Sequence, residues 1–224
     1  MDIDLNLNTG TALVTCTKQF NKKLKFRVVF ENKIYVYDIE PNSPIVIPLQ
    51  FGSGTYVFEL YEEVIDKKYK VVESIKKDIK LENENACFLH PNCFVSYDAD
   101  LEEFAREFKR ETILKTVLAV REWIEHHVYY DYLRALGLKK SEELMPQIER
   151  VLKEGKGICV DVAAFAVAVL RLNNIPARLV YGYANNHYHA WINYMREDEK
   201  WIRYDPTAAM LNIKDAKYRV KNFY

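Results

Sequence analysis

The sequence predicts an α+β protein made of two domains, a β-rich domain at residues 1–97 and a mixed helical and β domain at residues 98–224. The main observation is a change in hydrophobic periodicity. Apolar residues alternate with period two over about residues 11–80, and they recur at three- and four-residue spacing after residue 98. Length agrees with this division, because 224 residues are enough for two domains of about a hundred residues each.

The β-rich domain is expected to contain six or seven short strands. Apolar residues lie on one strand face at residues 24–30 and again at residues 56–60, and no helical pattern interrupts the series. Turn-forming sequences separate the apolar runs at short intervals, and residues 66–68 are typical of a hairpin tip. Strands of this number and spacing indicate an antiparallel β-sandwich of immunoglobulin-like kind.

Helices open the second domain. The spacing of apolar residues predicts helices near residues 101–108 and over residues 111–127, and Pro146 predicts the first turn of a short helix that ends at Gly155. A longer apolar helix then begins at Cys159. Its apolar residues cover nearly the whole circumference, which indicates a buried central helix.

The central helix is expected to end before Pro176, and strands follow at residues 177–183, 188–194 and 201–204. The Arg-Glu-Asp-Glu-Lys sequence at residues 196–200 predicts the turn between the last two strands. The second domain is therefore predicted to be a central helix packed on an antiparallel sheet.

Composition argues against several classes of partner. Lys and Arg together number 32, as do Asp and Glu, so no basic face is expected and the sequence predicts neither a nucleic-acid nor a membrane partner. The longest apolar stretch, residues 160–170, is too short to span a bilayer and contains Asp161. The chain begins without the basic and apolar pattern of a signal peptide, so we expect a cytoplasmic protein or an exported one whose signal was removed.

Four cysteines are too few for a disulfide scaffold in a chain of this length. Cys87 and Cys93 lie close enough in sequence to form a bridge in an oxidising compartment, and we favour the alternative of two buried free thiols. Cys16 and Cys159 lie in different regions, so their spacing indicates no pairing.

Three residues of the second domain have the types and the order that acyl-transfer chemistry requires. Cys159 follows Gly-Lys-Gly-Ile at the predicted helix start, His189 lies on a predicted strand, and Asp205 lies at the next strand. A helix N-terminus and a nearby imidazolium favour the reactive thiolate, and the free N–H of the cysteine can donate to an oxyanion. If the turn centres at residues 197–198, position 189 lies opposite residues 205–207, so Asp205 can orient His189.

Each of these residues alone also fits a structural role: an inert buried thiol, a hydrogen-bonded strand histidine, and an aspartate that opens a turn before proline. Asp161 would oppose formation of the thiolate, although it is also a favourable charge at a helix start. A second alternative is a zinc site formed by Cys159, His187, His189 and Asp205. The sequence has no paired Cys-x-x-Cys, and we expect neither a metal nor a cofactor.

These motifs resemble the transglutaminase-like core of the papain-like cysteine enzymes over roughly residues 110–210. The resemblance is carried by Trp123, Tyr130–Tyr132, Gly157–Asp161, Leu170–Arg171, Ile175–Arg178, Gly182, His189–Trp191, Trp201 and Asp205–Thr207. It implies that Cys159 is the nucleophile, His189 the general base and acid, and Asp205 the orienting carboxylate. The β-rich domain together with this core is similar to bacterial two-domain proteins described as cysteine proteases. Candidates for a side-chain oxyanion donor are Tyr130, Tyr132 and Gln147.

The expected activity is that of a thiol-dependent hydrolase or acyltransferase that cleaves peptide or glutamine amide bonds of a peptide or protein substrate. The resemblance favours a cysteine protease within this class. The alternatives are an amine-transferring transglutaminase and a peptide N-glycanase-type amidase. An alternative of a different class is a binding or scaffold module in which the triad is retained but occluded.

Overall fold

A computed structural model describes residues 1–18, 20–137, 144–208 and 210–224. The contacts divide the chain into two compact units, Met1–Cys87 and Phe88–Tyr224. This division falls ahead of the expected boundary at residue 97, because Phe88 and Phe94 pack within the second unit. Their rings lie against Phe223 and Tyr224, with centroid distances of 6.1 and 3.8 Å.

Within its described residues, the first unit consists of seven strands in two antiparallel sheets. The strands are β1 (Asp2–Asn6), β2 (Thr11–Thr15), β3 (Leu24–Phe30), β4 (Lys33–Ile39), β5 (Ile45–Pro48), β6 (Gly54–Ile65) and β7 (Lys68–Ile79). One sheet has the order β1-β2-β5 and the other has the order β4-β3-β6-β7. The two-sheet arrangement agrees with the expected sandwich, and its immunoglobulin-like identity stays a prediction.

Alternating burial explains why these residues form strands. Phe26 on β3 pairs with Leu60 on β6, and Val28 pairs with Phe58, so large side chains cover one face of the sheet. Burying a side chain of this size contributes roughly 1.5–3 kcal/mol to stability. The β6 to β7 hairpin turns at Asp66 and Lys67, whose φ angles of 42° and 62° lie in the left-handed region that tight hairpin turns require.

The second unit contains five α-helices and six strands in the described residues. The helices are α1 (Ala99–Ala105), α2 (Ile113–His127), α3 (Tyr132–Leu136), α4 (Ile148–Glu154) and α5 (Cys159–Leu172). The strands are β8 (Tyr129–Tyr130), β9 (Lys156–Gly157), β10 (Ala177–Ala184), β11 (His187–Met195), β12 (Trp201–Tyr204) and β13 (Tyr218–Phe223). The main sheet is antiparallel with the order β12-β11-β10-β13, and β8 pairs in parallel with β9.

Helix α5 is the centre of this unit. All residues from Val160 to Arg171 are buried, and the helix packs on β10 and β11 as the sequence predicted. The chain leaves the helix through Asn174, whose φ of 59° is left-handed, just ahead of Pro176. The predicted α+β class, with a central helix on an antiparallel sheet, is therefore confirmed. No helix in the described residues is both long and apolar enough to cross a membrane.

Candidate active site

Cys159 is the first residue of α5 and is partly exposed. The preceding Ile158 has an extended backbone, with φ of −94° and ψ of 177°, and its apolar side chain cannot cap the helix. The carboxylate of Asp161 in the first turn accepts the Ile158 N–H at 2.9 Å and so satisfies a different donor at the helix start. The N–H of Cys159 lies in the first turn, where backbone donors have no partner within the helix.

Asp161 is fully buried, and its charge is compensated by its own partners. It forms an ion pair with the guanidinium of Arg134 and accepts the backbone N–H of Gln147 at 2.8 Å. The carboxylate therefore ties α3 and the chain before α4 to the start of α5. Because Arg134 neutralises it, Asp161 does not act as an isolated negative charge against a thiolate at Cys159.

His189 and Asp205 meet across the last hairpin of the sheet. The register pairs Ile192 with Tyr204, so position 189 continues opposite position 207 and Asp205 is its diagonal neighbour on the same face. The Nε2 atom of His189 lies 2.8 Å from Oδ2 of Asp205, and the two side chains are only 4% and 5% exposed. Nδ1 is the remaining nitrogen of the imidazole, and the Cys159 thiol is one of the groups that raise the pKa of His189.

The ionisation of His189 depends on both neighbours. Burial has the largest single influence and opposes the charged form, but the hydrogen bonds to Asp205 and Cys159 together outweigh it and raise the pKa of His189 to about 10. The imidazolium is therefore the favoured form at neutral pH. Its positive charge next to the sulfur is the condition under which a cysteine thiolate is stabilised.

Asp205 accepts four hydrogen bonds. Its Oδ2 atom accepts from His189 and from the hydroxyl of Tyr218 at 2.7 Å, and its Oδ1 atom accepts the N–H and the hydroxyl of Thr207 at 3.0 and 3.1 Å. Burial alone would raise the pKa of Asp205, but the bonds from His189, Tyr218 and Thr207 together lower it. Sequence reasoning missed Tyr218, because no motif marks it and β13 was not predicted.

A two-residue parallel pair brings Tyr130 to the cysteine. Tyr130 on β8 pairs with Gly157 on β9, and the N–H of Asp131 donates to the Gly157 carbonyl at 2.9 Å. The backbone and the thiol of Cys159 both act on the ionisation of the Tyr130 hydroxyl, which places the phenol beside the cysteine. Burial chiefly, followed by the charge of the Cys159 sulfur, raises the pKa of Tyr130, so the phenol stays protonated.

The other two candidates for an oxyanion donor have partners elsewhere. The hydroxyl of Tyr132 donates to the carbonyl of Met210 at 3.1 Å. The side-chain oxygen of Gln147 accepts from the guanidinium of Arg150 at 3.5 Å. Of the three, Tyr130 is the residue that contacts Cys159.

The four residues of the alternative zinc site are not arranged as metal ligands. His187 is exposed at the start of β11, whereas His189 and Asp205 are hydrogen bonded to each other. Within the described part of the chain, no group of three or more His, Cys, Asp or Glu side chains is arranged to hold a metal ion.

All four cysteines are free thiols, and burial raises the pKa of Cys93 to about 12.

Solved structures of similar proteins share little sequence with this chain. A candidate cysteine protease of Cytophaga hutchinsonii is 18% identical with a TM-score of 0.49, over 96% of this chain and 86% of that one. The periplasmic domain of TgpA from Pseudomonas aeruginosa is 15% identical with a TM-score of 0.46, over 86% and 90% of the two chains. A TGase is 21% identical with a TM-score of 0.43, over 54% and 32%.

No curated protein matches the sequence. The family model of the transglutaminase-like superfamily matches residues 102–206. This range contains Tyr130, Cys159, His189 and Asp205, and it ends before β13. It also coincides with the segment over which the sequence motifs resemble that family. Most of the second unit is therefore similar to the transglutaminase-like superfamily.

Proposed function

We propose that the chain is a thiol-dependent hydrolase that cleaves peptide or side-chain amide bonds through Cys159, His189 and Asp205. The single observation that carries the proposal is the 2.8 Å hydrogen bond between the His189 imidazole and the Asp205 carboxylate, with the Cys159 thiol close enough to raise the pKa of the same imidazole. Nucleophile, base and orienting group stand in the order that this chemistry requires.

In the first half of the reaction, the Cys159 thiolate attacks the substrate carbonyl carbon and forms a C–S bond. The carbonyl π electrons move to oxygen, and the N–H of Cys159 donates to the resulting oxyanion. The C–N bond then breaks, and the His189 imidazolium gives its proton to the departing amine. The products of this half are the amine and a thioester on Cys159.

In the second half, neutral His189 removes a proton from water, and the water oxygen attacks the thioester carbonyl. Collapse of this intermediate releases a carboxylic acid and restores the thiolate and the imidazolium. An amine in place of water would give a new amide by the same steps, which is the transglutaminase outcome. The retained charge on Asp205 stabilises the imidazolium whenever it forms.

Tyr130 is the proposed second donor to the oxyanion. Its hydroxyl lies beside the backbone and the sulfur of Cys159, so a substrate oxygen that accepts the Cys159 N–H would lie next to the phenol. The phenol can then turn its own O–H toward the same oxygen. A single donor of this kind contributes about 10²- to 10³-fold to turnover.

Partial exposure of Cys159 supports an enzyme over a scaffold with an occluded triad. His189 and Asp205 are buried, but Cys159 at the helix start reaches the surface of the unit. An arrangement in which the base is shielded and the nucleophile is open suits attack on an external substrate.

Labelling with a peptide that ends in an electrophilic carbonyl tests the proposal. We expect one covalent adduct, located at Cys159 by peptide mass spectrometry and absent in Cys159→Ala. Cys16, Cys87 and Cys93 serve as internal controls, since the first two are buried and the pKa of the third is raised to about 12. A mass increase that survives in Cys159→Ala would overturn the assignment.

Product analysis then separates the possible reactions. Release of an amine with formation of a free carboxylic acid indicates hydrolysis, and incorporation of a labelled primary amine indicates acyl transfer. Labelling of Cys159 without turnover of peptide, glutamine or glycosylated asparagine amides would favour a binding module.

A further inference from the structure

Tyr218 contacts the side chain of the proposed orienting residue. Its hydroxyl donates to Oδ2 of Asp205 at 2.7 Å, and this is the same oxygen that faces Nε2 of His189 at 2.8 Å. The tyrosine lies on β13, outside the range matched by the family model. The proposed reaction steps assign no role to this residue.

The ring of Tyr218 is held from two sides. Its centroid lies 5.0 Å from that of Trp191 in an edge-on arrangement, and the guanidinium of Arg203 lies 4.0 Å above it. Contacts of this kind leave the ring little freedom to rotate away. The hydroxyl oxygen is therefore held within hydrogen-bond distance of Asp205.

Gly182 makes the approach of β13 possible. A Cβ atom at this position would lie 2.2 Å from the carbonyl oxygen of Arg219 and 2.7 Å from the ring of Trp191. The β10 to β13 ladder shifts register between Tyr181 and Gly182, and it then pairs Tyr218 with Ala184. The glycine thus lets the strand that carries the tyrosine lie against β10 beside the tryptophan.

We propose that Tyr218 is a positioning residue that holds the Asp205 carboxylate in the orientation from which it directs the His189 imidazole. The proposal rests on the proposed function of Cys159, His189 and Asp205. Thr207 fixes one carboxylate oxygen through two hydrogen bonds. Without Tyr218, the other oxygen would be held by His189 alone, which is the group it must direct.

The charged and titratable groups around this carboxylate come from three strands. They are His189 on β11, Arg203 and Tyr204 on β12, and Tyr218 on β13. Burial, followed by the hydrogen bond to Asp205, raises the pKa of Tyr218, so it remains a donor across the working pH range. Tyr218 in turn is one of the groups that lower the pKa of Asp205.

The hydrogen bond from Tyr218 determines the direction in which the pH profile should move when the hydroxyl is removed. A carboxylate whose pKa is lowered keeps its charge until the pH falls through that lowered value. Loss of the Tyr218 donor raises the pKa of Asp205, so the charge disappears at a higher pH. The acid limb of the pH profile therefore moves to higher pH.

The test is the substitution Tyr218→Phe, which removes the O–H and keeps the ring contacts with Trp191 and Arg203. We expect kcat to fall about 10- to 100-fold, the size associated with one hydrogen bond to a charged group. KM should stay within about threefold because Tyr218 is placed to act through Asp205. The acid limb of kcat should move to higher pH.

Tyr204→Phe is the matched control. The Tyr204 hydroxyl is also buried and lies one residue from Asp205, but it has no hydrogen-bond partner among the residues described. The same chemical change there should leave kcat and the pH profile close to those of the wild type. An equal effect of the two substitutions would mean that any lost phenol oxygen in this region matters, and it would overturn the proposal.

A double substitution separates positioning from general stability. In an Asp205→Asn background, Tyr218→Phe should change kcat by no more than about twofold, because the carboxylate it positions is already gone. If the fold-reduction in kcat of the double variant equals the product of those of the two single variants, Tyr218 has an independent structural role and the inference is refuted.

Titration of the Asp205 carboxyl carbon by NMR gives a readout that does not require turnover. The pKa of Asp205 should be higher in Tyr218→Phe than in the wild type, and an unchanged value overturns the positioning role even in an inactive protein. Failure of the proposed function looks different, because the wild type itself would then show no adduct at Cys159 and no turnover.

Discussion

Opposite charges placed side by side determine which groups ionise at this site. His189 and Asp205 are both buried, and an unpaired charge at such a depth costs on the order of several kcal/mol. Their hydrogen bond links the two ionisations, so removal of one charge destabilises the other. Asp161 is paired separately with Arg134, and its negative charge stays outside this series.

At the residue scale, Asp205→Asn should lower kcat by about two to four orders of magnitude. The amide keeps the size of the side chain, but the charge that favours the imidazolium is lost. Since Asp205 helps to raise the pKa of His189 to about 10, its loss should lower that pKa and move the high-pH limb of the profile to lower pH. The measurements are kcat and the alkylation rate of Cys159 as functions of pH.

Asp198→Asn provides the matched control for this change. Asp198 lies in the turn of the same hairpin and is paired with Arg196 and Lys200 at the surface. Exposed ion pairs contribute about 0–1 kcal/mol, so this variant should retain wild-type turnover. Activity of Asp205→Asn within a few-fold of the wild type, with an unchanged pH profile, would leave Asp205 as a turn residue.

At the element scale, Gly155 connects α4 to the strand pair that carries Tyr130. Its φ of 60° is left-handed, and its carbonyl accepts the Tyr129 N–H at 2.8 Å. A Cβ atom there would lie 2.5 Å from the carbonyl oxygen of His127. Only glycine therefore allows α4 to end and β9 to begin at this distance from β8.

Gly155→Ala should displace β9 from β8 and with it the contact between Tyr130 and Cys159. The left-handed backbone alone costs about 1–2 kcal/mol for alanine. A displacement of about 1 Å at a reacting group can lower turnover by roughly 100-fold. The measurements are thermal unfolding and kcat. The fall in kcat, expressed as a free energy, should exceed the loss of folding free energy.

Gly137→Ala is the control for the glycine prediction. Its φ of −78° is accessible to any residue, and an added Cβ would lie 3.6 Å from the nearest atom, an ordinary contact. We expect little change in either measurement. If Gly155→Ala lowers stability but leaves kcat unchanged, Gly155 does not help to position the active site.

The elements that carry a periodic pattern were predictable from the sequence, and the shortest ones were not. Helix α5 shows apolar residues around its circumference, and β10 to β12 form runs of apolar residues between turns. In contrast, β8 and β9 have two residues each, and no periodicity exists over two residues. In strand β13 three consecutive residues are exposed and the other three are partly buried, so its burial pattern gives no alternation.

The same limit applies to the site residues. Cys159, His189 and Asp205 belong to recognisable motifs next to predictable elements. Tyr130 could be proposed as one of three candidates, but only the β8 and β9 pairing distinguishes it from Tyr132. Tyr218 depends on the shifted register of a strand that the sequence does not predict.

At the scale of the whole molecule, the position of the boundary between the units decides which fragment folds. The expected boundary at residue 97 would leave Phe88 and Phe94 with the β-rich domain, whereas the contacts assign both to the second unit. The guanidinium of Arg171, buried at the end of α5, also donates to the carbonyl of His90 at 2.7 Å. We propose that the second unit folds by itself when it begins at Phe88.

A fragment of residues 88–224 should therefore be folded and should label at Cys159, and a fragment of residues 98–224 should be less stable by about 2.5–6 kcal/mol. The shorter fragment loses the burial of Phe94, worth roughly 1.5–3 kcal/mol, and leaves Arg171 without one acceptor, at a cost of about 1–3 kcal/mol. Urea unfolding of both fragments, with the labelling assay alongside, measures the difference. Equal stability would place the boundary near residue 97 after all, because residues 88–97 would then contribute nothing to the second unit. A long fragment that is unfolded would instead show that the catalytic core requires the β-rich unit.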